Sequence, residues 1–84
     1  MKARVHIFYK DSVFDPQGNT LVHSLLSMGF GTVKKVRVGK AIDIELDAGT
    51  EQAARHQIRE MCDKLLANPV IESYTIEVEG AANP

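Results

Sequence analysis

Over residues 4–10, RVHIFYK, the apolar side chains Val5, Ile7 and Tyr9 alternate with Arg4, His6 and Lys10, and only Phe8 interrupts the polar side. A period of two in β-branched and aromatic residues predicts a strand. The outward Phe8 implies that this face is covered as well. The period then changes. Leu21, Leu25 and Met28, joined by Val22 and Leu26, recur at helical spacing. Asp15 stands where an N-cap belongs, Pro16 suits the first helical position, and Gly29 supplies a left-handed end, with Phe30 placed to fold back on Leu25. Capping is thus a sufficient role for Asp15, ahead of any catalytic one.

Alternation returns over residues 32–47, TVKKVRVGKAIDIELD. Val36, Val38, Ile42, Ile44 and Leu46 fall on even numbers, and Lys35, Arg37, Asp43, Glu45 and Asp47 on odd ones. A two-residue loop at Gly39-Lys40 would exchange the faces. A three-residue loop, Gly39-Lys40-Ala41, keeps them by pairing Val38 with Ile42 and Val36 with Ile44. One long strand bent at Gly39 keeps them equally well, and would reach past one chain's sheet to favour an intertwined dimer. Both remain open on the sequence. A second helix follows, with Thr50 as cap, Glu51 in the first turn, and Ala54, Ile58, Met61, Cys62, Leu65 and Leu66 as its apolar stripe. Glu51/Arg55, Arg59/Asp63 and Glu60/Lys64 are spaced as i,i+4 pairs. Asn68-Pro69 stops the helix, and residues 70–79 form a last strand with Tyr74, Ile76 and Val78 inward.

The order is β-α-β-β-α-β, or β-α-β-α-β with a continuous middle strand. Either predicts an α+β, two-layer ferredoxin-like sandwich, with two helices on one face of an antiparallel-rich sheet. Residues 1–79 are expected to be a single domain and residues 80–84 a flexible C-terminal tail. A chain of 84 residues buries only about 60–65 % of its unfolded surface, so pairing is a natural source of stability.

Composition narrows the partners. With 10 Lys+Arg against 11 Asp+Glu the net charge is -1, which gives no electrostatic reason for nucleic acid or an anionic membrane as partner. The alternating, charged N-terminus does not read as a signal-peptide core, and no apolar run approaches the roughly 20 residues of a membrane helix. The single Cys62 excludes an intramolecular disulfide and fits a reducing cytosol, so a cytoplasmic protein is expected.

The reactive residue types are scattered. His6 lies on a strand while His23 and His56 lie on different helices, which is not the spacing of a dedicated metal site. Cys62 sits in an apolar stripe and reads as a small buried hydrophobe. The acids of residues 43–51 line an outward edge or open a helix, and the glycines match no phosphate loop. Lys34, Lys35, Arg37 and Lys40 cluster near Gly39, as edge-strand protection or as a contact for an acidic partner. A four-stranded RNA-binding sheet would expose more aromatics than Phe8. The residues therefore describe a domain that associates, without a catalytic, cofactor-binding or metal constellation of its own.

Three stretches carry a family likeness: VFDPQG (13–18), VRVGK (36–40) and EMCDKLLANPVIE (60–72). With the order of elements around them, over about residues 4–79, the chain resembles the PurS family, the small subunits of phosphoribosylformylglycinamidine synthase. Ala41 departs from that pattern, in which an aromatic residue is expected after the Gly-Lys pair. The resemblance implies a homodimer or homotetramer that helps to assemble a large synthetase subunit and a glutaminase subunit, and supports ammonia transfer between them in de novo purine synthesis. It implies no cofactor on this subunit, the complex using ATP and Mg. It also carries over Asp15, Pro16, Gln17, Gly18, Arg37, Gly39, Lys40, Asn68 and Pro69 as architectural or interface positions, none as a catalyst. The alternative of another class is a ferredoxin-like regulatory domain that senses a small metabolite. A stand-alone small hydrolase fits less well, because YKDSVFDPQ offers acids and a cap where an anion cradle would be needed.

Overall fold

Strand β1, Lys2–Tyr9, forms the spine, and the chain returns twice to pair with it. A computed structural model describes residues 1–79 and gives the order β1, α1 (Pro16–Ser27), β2 (Gly39–Glu45), α2 (Glu51–Met61), a π-helical turn (Cys62–Leu66) and β3 (Glu72–Glu79). The sheet runs β2-β1-β3 and is antiparallel throughout, with Val5 opposite Ile42 on one side and Ile76 on the other. This is the α+β, ferredoxin-like arrangement that the alternation of periods implies. Residues 80–84, expected to be a loose tail, lie outside the described residues.

Parity decides the faces. Ala3, Val5 and Ile7 point inward and are almost wholly buried, and they cluster with Ile58, Cys62 and Ala67 from the helical layer, where Ala54 is buried as well. Ile42 and Ile44 from β2, and Tyr74, Ile76 and Val78 from β3, close the sides of this core. Side chains of the Val5 and Ile58 type each contribute about 1.5–3 kcal/mol when fully buried. The outward face carries Lys2, Arg4 and His6 down the centre, flanked by Asp43, Glu45 and Glu77, so opposite charges stand across the strands. Arg4 holds Asp43 through two hydrogen bonds of 2.6 and 3.1 Å, and His6 lies 3.2 Å from Glu77. Ala41, where a larger residue was expected, sits opposite His6 on this face.

The middle β region is one strand, so the loop at Gly39 does not form. Pairing with β1 begins at Gly39 opposite Phe8, and residues 33–38 approach it without regular structure. The parity is still kept across Gly39: Val36, Val38, Ile42, Ile44 and Leu46 are half-buried, while Lys35, Arg37, Asp43 and Glu45 are exposed.

Both helices start as their caps dictate. Thr50 Oγ1 accepts from the Ala53 N–H at 3.0 Å, and Asp15 accepts from the Gly18 N–H at 2.9 Å. Helix α1 closes with Gly29 at φ 98°, the Gly29 N–H on the Leu26 carbonyl and the Phe30 N–H on the Leu25 carbonyl, a Schellman end. Two expectations about burial fail. In α1 only Gly18 is buried, and Leu21, Leu26 and Met28 of the apolar stripe stay exposed with Phe14 and Phe30. In the second helix Leu65 is 83 % exposed, because the Ala67 N–H reaches back to the Cys62 carbonyl and the widened turn keeps only Leu66 of the two leucines inward. Asp63, spaced to pair with Arg59, accepts instead from the Tyr74 hydroxyl at 3.0 Å. Glu51–Arg55 and Glu60–Lys64 form as spaced, at 3.1 and 4.0 Å. The molecule is correspondingly drawn out, 50 × 31 × 15 Å, with a radius of gyration of 16.3 Å against about 12 Å for a compact chain of this length.

Candidate functional site

Three chain segments meet at one end of the sheet, where β1 finishes and β2 and β3 begin. Asp15 is the hub. One carboxylate oxygen accepts from the Gly18 N–H at 2.9 Å and starts α1, while the other accepts from the Val38 N–H at 2.9 Å, one residue ahead of β2. Those hydrogen bonds, Val38 foremost and then Gly18, with a weaker pull from Arg37, hold the Asp15 carboxyl below the usual carboxylate range. The carboxylate is therefore charged at neutral pH and fully engaged with main-chain donors.

Gly18 is buried where the 33–38 segment crosses the first turn of α1. A Cβ there would overlap the Val36 carbonyl oxygen and lie 2.7 Å from an Asp15 oxygen, so the crossing needs glycine. Gly39 is needed for the same reason: an added Cβ would stand 2.5 Å from the Ile7 carbonyl oxygen and 2.5 Å from the Phe8 ring. Arg37 completes the junction. Its guanidinium donates to the Tyr9 carbonyl at 3.0 Å, lies 4.7 Å over the Phe8 ring and sits 3.9 Å from Asp11, which also meets Lys35 at 3.6 Å. The apolar Phe8 on the outward face thus has its cover, a cation held against an aromatic face.

Gln17, Gly39 and Lys40 share a shallow cleft with Ile7, Tyr9, Val38 and Glu72. Pro16 and Gln17 line an adjoining groove with Thr20, Leu21 and Val38. Asn68 joins from the far side of the cleft through Glu72. The Asn68 N–H donates to a Glu72 carboxylate oxygen at 2.7 Å, and its carbonyl accepts from the Glu72 N–H at 2.8 Å. Its side chain accepts from the Val70 N–H at 3.0 Å across Pro69, a turn that Asn favours. The Lys10 N–H on the Ile71 carbonyl at 2.8 Å ties this turn to the end of β1.

Eight of the nine residues singled out from the sequence are thereby linked at one end of the molecule, and Pro69 shapes the turn beside them. Glu72, Tyr9 and Asp11 belong to the same cluster and were missed. Asp11 meets Lys35 and Arg37, and the Tyr9 carbonyl meets Arg37, far away in sequence, while Glu72 bonds Asn68 four residues away.

The residues weighed for chemistry lie elsewhere. Cys62 is fully buried, and burial, with Asp63 adding to it, pushes its thiol up and keeps it protonated. His23 and His56 are exposed on separate helices. Among the described residues no three His, Cys, Asp or Glu side chains converge as a metal site, and no helix is long and apolar enough to cross a membrane.

A family model described as PurS, phosphoribosylformylglycinamidine (FGAM) synthase, matches residues 2–80. The PurS of Methanocaldococcus jannaschii, a subunit of formylglycinamide ribonucleotide amidotransferase in the purine biosynthetic pathway, is 45 % identical, with 93 % of this chain and 94 % of that one covered and a TM-score of 0.85. Bacillus subtilis PurS is 42 % identical over 94 % of this chain and 98 % of its own, at a TM-score of 0.82. A chain in the solved PurLQS structure of Thermotoga maritima is 34 % identical over 90 % of this chain and 93 % of its own, at a TM-score of 0.83. With the whole described fold and the DPQG, VGK and NPVIE stretches inside the matched range, the chain belongs to the PurS family, the subunit of FGAM synthase in purine biosynthesis.

Proposed function

We propose that residues 1–79 act as one unit whose task is assembly: it joins the synthetase and glutaminase subunits of FGAM synthase and supports the passage of ammonia between them. The observation that carries this is the uncovered apolar side of the α1 half. Phe14, Leu21, Leu26, Met28 and Phe30 are between 41 and 70 % exposed in a chain that has completed its own core without them. Large apolar side chains left exposed together along one helix point to contact with another protein. The likeness to a chain of the PurLQS structure supports the same reading.

On this reading ATP and Mg are used by the partners, this subunit holds no cofactor, and the chain works in the cytoplasm as a homodimer or homotetramer. Asp15, Pro16, Gln17, Gly18, Arg37, Gly39, Lys40, Asn68 and Pro69 shape the surface and take no part in bond making. Ammonia is largely protonated and easily lost in water at neutral pH, so a closed path between two active sites serves the chemistry. The test combines the purified chain with the two other subunits, formylglycinamide ribonucleotide, glutamine, ATP and Mg. Product is expected only when all three proteins are present. Equal glutamine-dependent product without this chain overturns the proposal. Light scattering on the isolated chain reports the oligomer.

A further inference from the structure

We propose that Asp15 is a positioning residue that sets the angle of α1 against the sheet, and that competence for assembly depends on its bond to Val38 more than on the cap it provides. The inference rests on the assembly reading above. Its basis is the division of labour between the two oxygens of one carboxylate. A helix cap needs one acceptor, and the Gly18 N–H takes it at 2.9 Å. The second oxygen binds the Val38 N–H, 23 positions away in sequence, also at 2.9 Å. Asp15 therefore ties the start of α1 to the start of β2, like a bracket across a corner.

The bracket matters because apolar packing does not fix α1. Leu21, Leu26 and Met28 of its stripe are exposed, Val22 and Leu25 are only half-buried, and Gly18 alone is buried, where the 33–38 segment crosses it. The polar junction therefore largely sets the direction in which Leu21, Leu26 and Met28 face. Arg37 fastens the same segment to the end of β1, through the Tyr9 carbonyl at 3.0 Å and the Phe8 ring, so the corner is anchored on both sides. Helix α2 is the contrast: its cap residue Thr50 bonds the Ala53 N–H alone, and its angle is set by Ala54 and Ile58 in the core.

Two substitutions separate the roles. In Asp15→Ser the short hydroxyl serves the Gly18 N–H and leaves Val38 without its acceptor. In Asp15→Asn the shape is kept and the single oxygen serves the cap at the Gly18 N–H, so the Val38 N–H faces the amide NH2. Thr50→Ala is the control, since it removes a cap from a helix already held by the core. The readouts, on the full-length chain, are amide hydrogen exchange residue by residue and half-maximal formation of the three-subunit complex.

Both Asp15 variants are expected to exchange the Val38 amide at least ten-fold faster while Val5 and Ile7 keep their protection, and to assemble at least ten-fold more weakly. Thr50→Ala is expected to lower thermal stability yet assemble like the parent. Faster exchange at Val38 with undiminished assembly overturns the inference and leaves the assembly role standing. An unchanged Val38 amide also overturns it, as does loss of assembly in Thr50→Ala equal to that in Asp15→Ser, which would mean that stability alone governs. Failure of the parent chain to join the other subunits rejects the assembly role itself.

Discussion

The two halves of this molecule use the same helix signals and end up held by different forces. Helix α2 has a Thr cap, an acidic first turn and a stripe that lands on the inward face of β1, where Ala54 and Ile58 are fully buried. Helix α1 has an equally complete set of signals, Asp cap, Pro at its start and a Schellman glycine, yet no residue of its stripe is fully buried, and Leu21, Leu26 and Met28 stay exposed. Local chemistry makes a helix in both cases. What differs is whether a complementary apolar surface lies within reach. Where it does, dispersion and water release fix the geometry, with the Arg55 guanidinium adding a bond to the Ile76 carbonyl. Where it does not, a carboxylate and a guanidinium do.

The sharpest separation is expected from cavity formation. Ile58→Ala should cost about 2–5 kcal/mol in denaturant unfolding of the isolated chain, as for other buried large-to-small changes. A loss below about 1 kcal/mol would mean that the α2 half is not the source of stability.

Next is Gly18→Ala, which forces the 33–38 segment off α1 and should cost about 1–3 kcal/mol, the range for overpacking. Its mark should be lost amide protection near Val38 with the sheet unaffected. Uniform loss across the sheet would show that the halves are not independent. Thr50→Ala should cost about 1 kcal/mol, the usual worth of a cap, or roughly 4–8 °C in melting temperature for a domain of this size.

Acid probes the polar contacts. Because hydrogen bonding depresses the folded Asp15 pKa, its stabilisation is complete above the unfolded value of about 3.9. It is lost as pH falls through the lower folded value. Asp43, lowered by Arg4, adds a contribution of the same sign. Asp15→Asn should flatten the acid limb of a stability–pH curve; an identical limb in parent and variant would refute the role of the carboxylate.

The smallest effect is expected at Met28, 70 % exposed. Met28→Gln should change the stability of the dilute chain by less than about 0.5 kcal/mol, as at other exposed sites, while weakening association with partners. A large loss in the dilute chain would place Met28 in an intramolecular core after all.

Much of this could be read from residue order, because the decisive interactions are local. A period of two in RVHIFYK and SYTIEVE sets which side chains share a face, whatever they pair with. Asp15-Pro16, Thr50-Glu51, Gly29 and Asn68-Pro69 mark their ends through bonds spanning a few residues, so both helices begin and α1 ends where those signals stand. Family membership was legible for a related reason: DPQG, VGK and NPVIE are contiguous runs.

Folding in three dimensions settled the rest, since each remaining question concerned groups far apart in the chain. Strand β2 starts at Gly39 and no hairpin forms there, because the groups next to its start are claimed from outside the ladder, the Val38 N–H by Asp15 and the Tyr9 carbonyl by Arg37. Of the two leucines expected in the core, Leu65 was rotated away by a single widened turn and Leu66 stayed. Amphipathic spacing announced that α1 has an apolar side. It could not say that the side would stay open, because burial belongs to a pair of surfaces and only one of them is written in any one helix.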